Sequence, residues 1–370
     1  MNPILNNFLK KLDAILISSR SNIIYLTTYP NFSETERECF LLITRSKQYL
    51  ITDKRYSEAV TQVVKNFEIK DSGANKLLTA GRSSLLKNLR ITNLGIEEYD
   101  LTVSEYSKLK KFVKTKSVDL RNLRIVKQKK EIENIQKACR LGDLAFEFII
   151  KQLNPGVSER EIADKLETFI NLKGADISFK PIIAFGKNSS IPHHMAGNSK
   201  LRKNQIVLLD FGVKVNNYCS DMSRTIFFGK APNKFKKMYR TVLEAQTKAI
   251  EFIQSFYSSS ERGESRSKLS ISSNSQLFAR DIDKIARNYI IKQGFSNMIH
   301  SLGHGVGIEV HEAPHISLKS KDKISSGMIF SIEPGIYIPG FGGVRIEDLV
   351  VVQDNKAQLI SHSNREIIEL

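Results

Sequence analysis

Two aspartates, Asp210 and Asp221, stand in runs that otherwise read as apolar strands. Asp210 interrupts Ile206 to Val213, and Asp221 lies in the strand-like run Tyr218 to Phe228, with Lys214-Val215-Asn216-Asn217 between them. A hairpin centred between Val215 and Asn216 puts Asp210 directly opposite Asp221, where Cβ atoms are about 4.5–5.5 Å apart. Like charges facing each other inside a sheet are destabilising unless something neutralises them, and a cation is the natural partner. The plainer alternative is one aspartate at a turn and the other at an exposed edge.

A second constellation runs from His300 to Glu312, with His300, His304 and His311 inside a glycine-rich segment that makes a poor helix. Gly303 and Gly305 flank His304 and let backbone approach a ligand closely. Imidazole serves as metal ligand and as general acid or base. A lone histidine is usually a packed or surface residue. Here five of the seven histidines are His193, His194, His300, His304 and His311, and His315 makes six, so scatter is a poor explanation.

Two further carboxylates break apolar patterns. Glu333, in Ser331-Ile332-Glu333-Pro334-Gly335, ends an apolar run that starts at Met328, where burial without a partner is costly. In Gly342 to Leu349, period-two alternation puts Arg345 and Glu347 on one face, so Arg345 can steady a carboxylate ligand. Each has a plain alternative, an exposed strand-end glutamate and a surface ion pair. Two Asp, one His and two Glu together form an oxygen-rich set that suits a pair of divalent ions, manganese, cobalt or zinc, better than a closed structural zinc site. Two metals about 3.5–4 Å apart can bridge and activate one water.

These residues need a scaffold, and 370 residues suffice for two cores. Residues 1–122 alternate apolar runs (Ala14 to Ile17, Phe40 to Thr44, Tyr49 to Thr52, Asn93 to Glu97) with helical patterns at Arg55 to Lys65 and Val103 to Phe112, which reads as a small α/β domain. A second domain, 123–370, opens on a long helical pattern with Ile132, Ile135, Cys139, Ala145, Phe146 and Ile149 facing inward. Asn154-Pro155-Gly156 ends it, and Ser158 with Glu161 makes a capping box for the next helix. The serine-dense stretch 255–276 reads as a surface loop between two helices.

Composition excludes several classes. Cys39, Cys139 and Cys219 are scattered and lack any CxxC spacing, against a disulfide framework or a thiolate zinc site. No run approaches the roughly 18 apolar residues of a membrane span, and no signal-like core follows a basic start, so no membrane association and a cytoplasmic location are expected. The net charge of +17 admits nucleic acid. No basic run is interleaved with aromatics as in a stacking platform, so the charge is read as spread over solvated faces and nucleic acid is not expected as a partner.

With these motifs in place, the chain resembles the pita-bread (M24-type) metallopeptidases, the family of methionine aminopeptidase, aminopeptidase P and prolidase. The carrying segments are the DFG at Asp210, CSDMSRT around Asp221, HSLGHGVGIEVHE from His300, SIEPG around Glu333 and VRIED around Glu347. The resemblance implies an α+β pita-bread catalytic domain over 123–370. The first domain, with Asn22-Ile23-Ile24-Tyr25-Leu26-Thr27, is similar to the creatinase-type domain of the proline-specific branch. It further implies Asp210, Asp221, His304, Glu333 and Glu347 as ligands of two divalent ions, most readily Mn2+. His193, His300 and His311 are implied as substrate and proton-handling residues, with His193 preferred to His194, and Arg345 as a supporting group. Glu333 would take the water's proton and His311 would stabilise the oxyanion. A homodimer and proline-containing peptide substrates follow from the same resemblance. His315 stands where some dipeptidase members carry an arginine, which tilts the expectation toward an Xaa-Pro aminopeptidase, with an Xaa-Pro dipeptidase as alternative. A non-catalytic pita-bread binding module is the alternative of another class, and such relatives typically lose ligands that are all present here.

Overall fold

Leucine- and isoleucine-rich runs near the N-terminus form strands without alternation because both faces are covered. β1 (Ala14–Ile17) and β2 (Phe40–Thr44) are buried at every residue, beside β3 (Gln48–Thr52), β4 (Glu68–Asp71), β5 (Asn93–Ile96) and β6 (Lys114–Ser117). They make a mixed six-stranded sheet in the order β4-β3-β2-β1-β5-β6. β1 is antiparallel to β2 and parallel to β5. Helices Pro3–Leu9, Arg20–Thr27, Lys54–Val63 and Val103–Leu109 accompany it. Two apolar clusters are built on alternate residues of the central strands: Ile15 and Ile17 belong to one, Ala14 and Leu16 to the other.

The structure, a computed structural model, describes residues 2–71, 85–261, 276–354 and 356–370. It divides into compact units Met1–Arg124 and Ile125–Leu370. Among the described residues no helix is long and apolar enough to cross a membrane.

The second unit opens with the helix Lys129–Ile150, whose buried residues include all six inward positions read from the sequence. The helix Glu159–Leu172 follows, with the capping box formed: Ser158 Oγ accepts from Glu161 N at 3.2 Å, and Glu161 accepts from Ser158 N at 2.6 Å. Next come β7 (Asp176–Ile177), β8 (Ile182–Phe185), β9 (Gln205–Phe211), β10 (Val213–Val215), β11 (Tyr218–Cys219) and β12 (Met222–Phe228). β8 and β12 flank β9, while β10 and β11 form a small sheet with β7. After the helices Asn233–Glu261 and Ala279–Lys292 the chain adds β13 (Gly303–Gly305), β14 (Glu312–Ile316), β15 (Ile329–Ile332), β16 (Gly335–Ile338), β17 (Gly342–Arg345), β18 (Asp348–Gln353) and β19 (Lys356–Leu359). These form a five-stranded sheet, β14-β13-β15-β18-β19, and the hairpin β16-β17. Ile253, Ala286 and Ile290 from the two long helices share one core with Phe330, Val344 and Val350.

The serine-dense stretch departs from expectation at its start. Ser255 to Glu261 continue the helix, because Ile253, Phe256 and Tyr257 carry its apolar stripe into the core past the serines. Residues 262–275 lie outside the described residues.

Candidate metal centre

The hairpin that presents the two aspartates is centred one residue later than its sequence suggests. Asn216 and Asn217 take left-handed φ values of 50° and 71°, which asparagine tolerates better than valine, so they make the turn. Val215 then faces Tyr218, and the same register continues into β9 and β12, where Phe211 faces Met222 and Asp210 faces Ser223. The expected direct pairing of Asp210 with Asp221 is therefore corrected: it is off by two residues, and a period of two keeps both on one face. Gly212 permits the crossing between β9 and β10, since a Cβ there would lie 2.0 Å from Ser220 O.

β13 delivers His304 between two close backbone approaches. A Cβ at Gly303 would sit 1.9 Å from Ser331 O, and one at Gly305 2.1 Å from Ala313 O. His304 Nδ1 lies 3.2 Å from Gly305 O, which holds the proton on that nitrogen and leaves Nε2 to face the carboxylates. Nε2 is 3.2 Å from Glu333 Oε1 and 3.6 Å from Asp221 Oδ2.

Asp210, Asp221, His304, Glu333, Arg345 and Glu347 all line one cavity of about 430 Å³, together with His193, His300, His311 and His315. One ligand atom from each of Asp221, His304 and Glu347 lies within 4.8 Å of the others. Asp210 Oδ1, Asp221 Oδ1 and Glu347 Oε1 are buried and reached by no donor among the described residues. Buried carboxylate oxygens without donors, on residues that line one cavity, are costly unless a cation joins them. The donor chemistry fits divalent metal.

The electrostatics agree. Burial, then the neighbouring Glu347 and Asp210, pushes Asp221 well above the ordinary aspartate range. Burial, then Glu333 and Asp210, does the same to Glu347. Burial also raises Asp210, against the opposing pull of Arg345. Glu333 differs: burial pushes its carboxyl up, but hydrogen bonding and charge from His304, then the charges of His300 and Arg345, outweigh it and bring it to about 2.

A connected polar chain backs the carboxylates. Arg345 pairs with Asp210, donates from Nε to Ser223 Oγ at 2.8 Å, and donates from Nη1 to Tyr337 Oη at 2.8 Å. Having accepted from Arg345, Tyr337 Oη can donate to His300 Nε2, 2.9 Å away. His300 Nδ1 lies 2.7 Å from Ser301 O and donates to it, and burial lowers the pKa of the ring. The rings of His304 and His311 are 4.2 Å apart between centroids. His194 turns away from the cavity, with Nε2 2.9 Å from Glu159.

Two site residues escape sequence reasoning. Ser223 stands two residues after Asp221, so strand periodicity alone signals its shared face. Tyr337 carries no such signal.

Buried, oxygen-rich carboxylates with one oriented imidazole, in a cleft lined by further histidines, define a metal-dependent hydrolase. Residues 133–354 match Metallopeptidase family M24, and residues 9–126 match the Creatinase/Prolidase N-terminal domain. The chain belongs to metallopeptidase family M24, with a creatinase-type first domain and a pita-bread catalytic domain. It is 34% identical over 362 residues to a protein of Pyrococcus horikoshii named Xaa-Pro dipeptidase, covering 96% of this chain and 95% of that one. Among solved structures, an Xaa-Pro dipeptidase from Bacillus anthracis superposes with a TM-score of 0.84 at 33% identity, covering 99% of this chain and 98% of that one. An X-Pro aminopeptidase from Thermotoga maritima gives a TM-score of 0.82 at 28% identity, covering 99% of each chain.

Proposed function

We propose that the chain is a manganese-dependent Xaa-Pro dipeptidase. The observation that carries the metal part is that Asp221, His304 and Glu347 bring ligand atoms within 4.8 Å of one another, while Asp210, Asp221 and Glu347 each keep a buried oxygen reached by no donor among the described residues. The substrate part is supported by the near full-length relatives named Xaa-Pro dipeptidase, which are more similar than the X-Pro aminopeptidase. This reverses the tilt toward an aminopeptidase drawn from the missing arginine at His315. His315 lines the same cavity, and an imidazole can hydrogen-bond a substrate carboxylate.

Asp210, Asp221, His304, Glu333 and Glu347 would hold two divalent ions. When bound, such a pair supplies an activated water and polarises the scissile carbonyl. Glu333, ionised at neutral pH, takes a proton at a carboxylate oxygen from the attacking water. His311 donates a ring N–H to the carbonyl oxygen as it becomes an oxyanion. Proline nitrogen carries no N–H in the peptide and must gain a proton on departure. To His193 and His300 we assign the side of the cleft where that nitrogen leaves, with Tyr337 and Arg345 holding His300 in place.

The test compares Gly-Pro with Arg-Pro-Pro in Mn2+, beside an Asp221→Ala control. Turnover of Gly-Pro alone, lost in the control, is the expected result. Turnover of the tripeptide would restore the aminopeptidase reading, and turnover of neither with Mn2+ bound would remove proline specificity.

A further inference from the structure

Glu159 is the first residue of its helix, and a glutamate there ordinarily faces solvent. This one is fully buried, at 0% exposure. An ionised carboxylate offers about four lone-pair sites, and each is taken. Oε1 accepts from Phe185 N at 2.8 Å and from Asn188 Nδ2 at 2.8 Å. Oε2 accepts from Gly197 N at 3.1 Å and faces His194 Nε2 at 2.9 Å.

All four donors belong to the segment 185–197, which carries His193. The backbone closes the same contact, with Arg160 N donating to Gly197 O at 2.9 Å and Glu159 N to Ser199 O at 3.2 Å. The other side of the segment is tied to the hairpin that bears Arg345. Gly343 N donates to Ser189 Oγ at 2.9 Å, and Arg345 Nη1 to Pro192 O at 3.4 Å. His193 itself is exposed and lines the cavity, so its place depends on these ties.

We propose that Glu159 and His194 are positioning residues: the buried carboxylate, read by the imidazole next to His193, sets where His193 stands in the cleft. His193 and His194 then divide the work, one facing the cavity and its neighbour locked to the scaffold. Resting on the dipeptidase reading for its kinetic arm, the inference predicts damage to turnover without damage to metal binding. None of the five carboxylate and imidazole groups proposed as metal ligands lies on this segment.

The experiment uses the full-length chain as wild type, His194→Ala, His194→Gln and Glu159→Gln. Glutamine at 194 can present its amide nitrogen near the position of Nε2, whereas glutamine at 159 replaces one acceptor oxygen with a donor facing Gly197 N. Three readouts are taken: kcat and KM for Gly-Pro, Mn2+ affinity by calorimetry, and the rate of tryptic cleavage at the exposed Lys187. The expected result is a fall in kcat of about tenfold or more in His194→Ala and Glu159→Gln, the order for a small misplacement of a reacting group. Mn2+ affinity stays unchanged, cleavage at Lys187 is faster, and His194→Gln recovers both turnover and protection. Wild-type turnover and cleavage rates in His194→Ala would overturn the proposal, as would a matching loss of Mn2+ affinity. If wild type does not hydrolyse Gly-Pro, the dipeptidase reading fails by itself. Proteolysis, which needs no substrate, then decides the clamp: it stands if Lys187 is exposed by alanine and protected by glutamine, and falls otherwise.

Discussion

Ser223 Oγ donates to Glu347 Oε2 at 2.8 Å while accepting from Arg345 Nε at 2.8 Å, so one hydroxyl spans a buried cation and a buried carboxylate. Ser223→Ala leaves Glu347 free to turn. Groups that orient metal-holding side chains typically account for ~10–100-fold in affinity or activity. Mn2+ binding by the variant, followed by calorimetry, should weaken within that range. An unchanged affinity would mean that Arg345 alone keeps the carboxylates in register.

Asp221→Asn should abolish hydrolysis yet stabilise the metal-free protein. Asp221 has a folded-state pKa raised above its unfolded value, so its contribution is favourable below the ordinary carboxylate range and is lost as pH rises through the raised value. The asparagine variant should be more stable than metal-free wild type at about pH 8 and match it near pH 4. Urea unfolding in chelator at both pH values reads this directly, and a less stable variant at the higher pH would refute it. The same sign makes Mn2+ binding release protons, so its affinity should rise with pH.

Tyr337→Phe keeps the ring and removes the oxygen between His300 Nε2 and Arg345 Nη1. Hydrogen bonds to charged groups contribute about 1.5–3 kcal/mol, so kcat/KM for Gly-Pro should drop by about 10–100-fold. Metal content, measured by atomic absorption, should not change. Equal loss of both would assign Tyr337 to the metal centre.

Lys127 Nζ lies 3.2 Å from Glu312 Oε2, with side chains 1% and 3% exposed. Breaking such a pair strands a buried charge, so Lys127→Met should cost about 3–5 kcal/mol in urea unfolding. A cost under about 1 kcal/mol would show that water reaches Glu312 once the lysine is gone.

Much of this architecture is legible before any coordinates. The inward face of Lys129–Ile150 follows from helical periodicity, and the Ser158/Glu161 box from two residue types three apart. The groups that meet in the cavity show themselves as acidic breaks in apolar runs and as clustered histidines. Hairpin register is less visible, because apolar alternation allows either turn and only the left-handed tolerance of Asn216-Asn217 selects between them. Glu159 is hidden altogether: its position predicts an exposed carboxylate, and its burial comes from a segment that folds back from residues 185–197.

The turn at Asn216-Asn217 also sets a limit on how this chain can change. It lies on the surface side of a small hairpin, where insertions are ordinarily harmless. Here the register that pairs Val215 with Tyr218 is the same one that pairs Asp210 with Ser223 across the crossing at Gly212. Adding one residue to β12's side of that pairing would send Asp221 to the opposite face from Asp210. A single-codon insertion in this hairpin would thereby take Asp221 out of the group of carboxylates proposed to hold the metal.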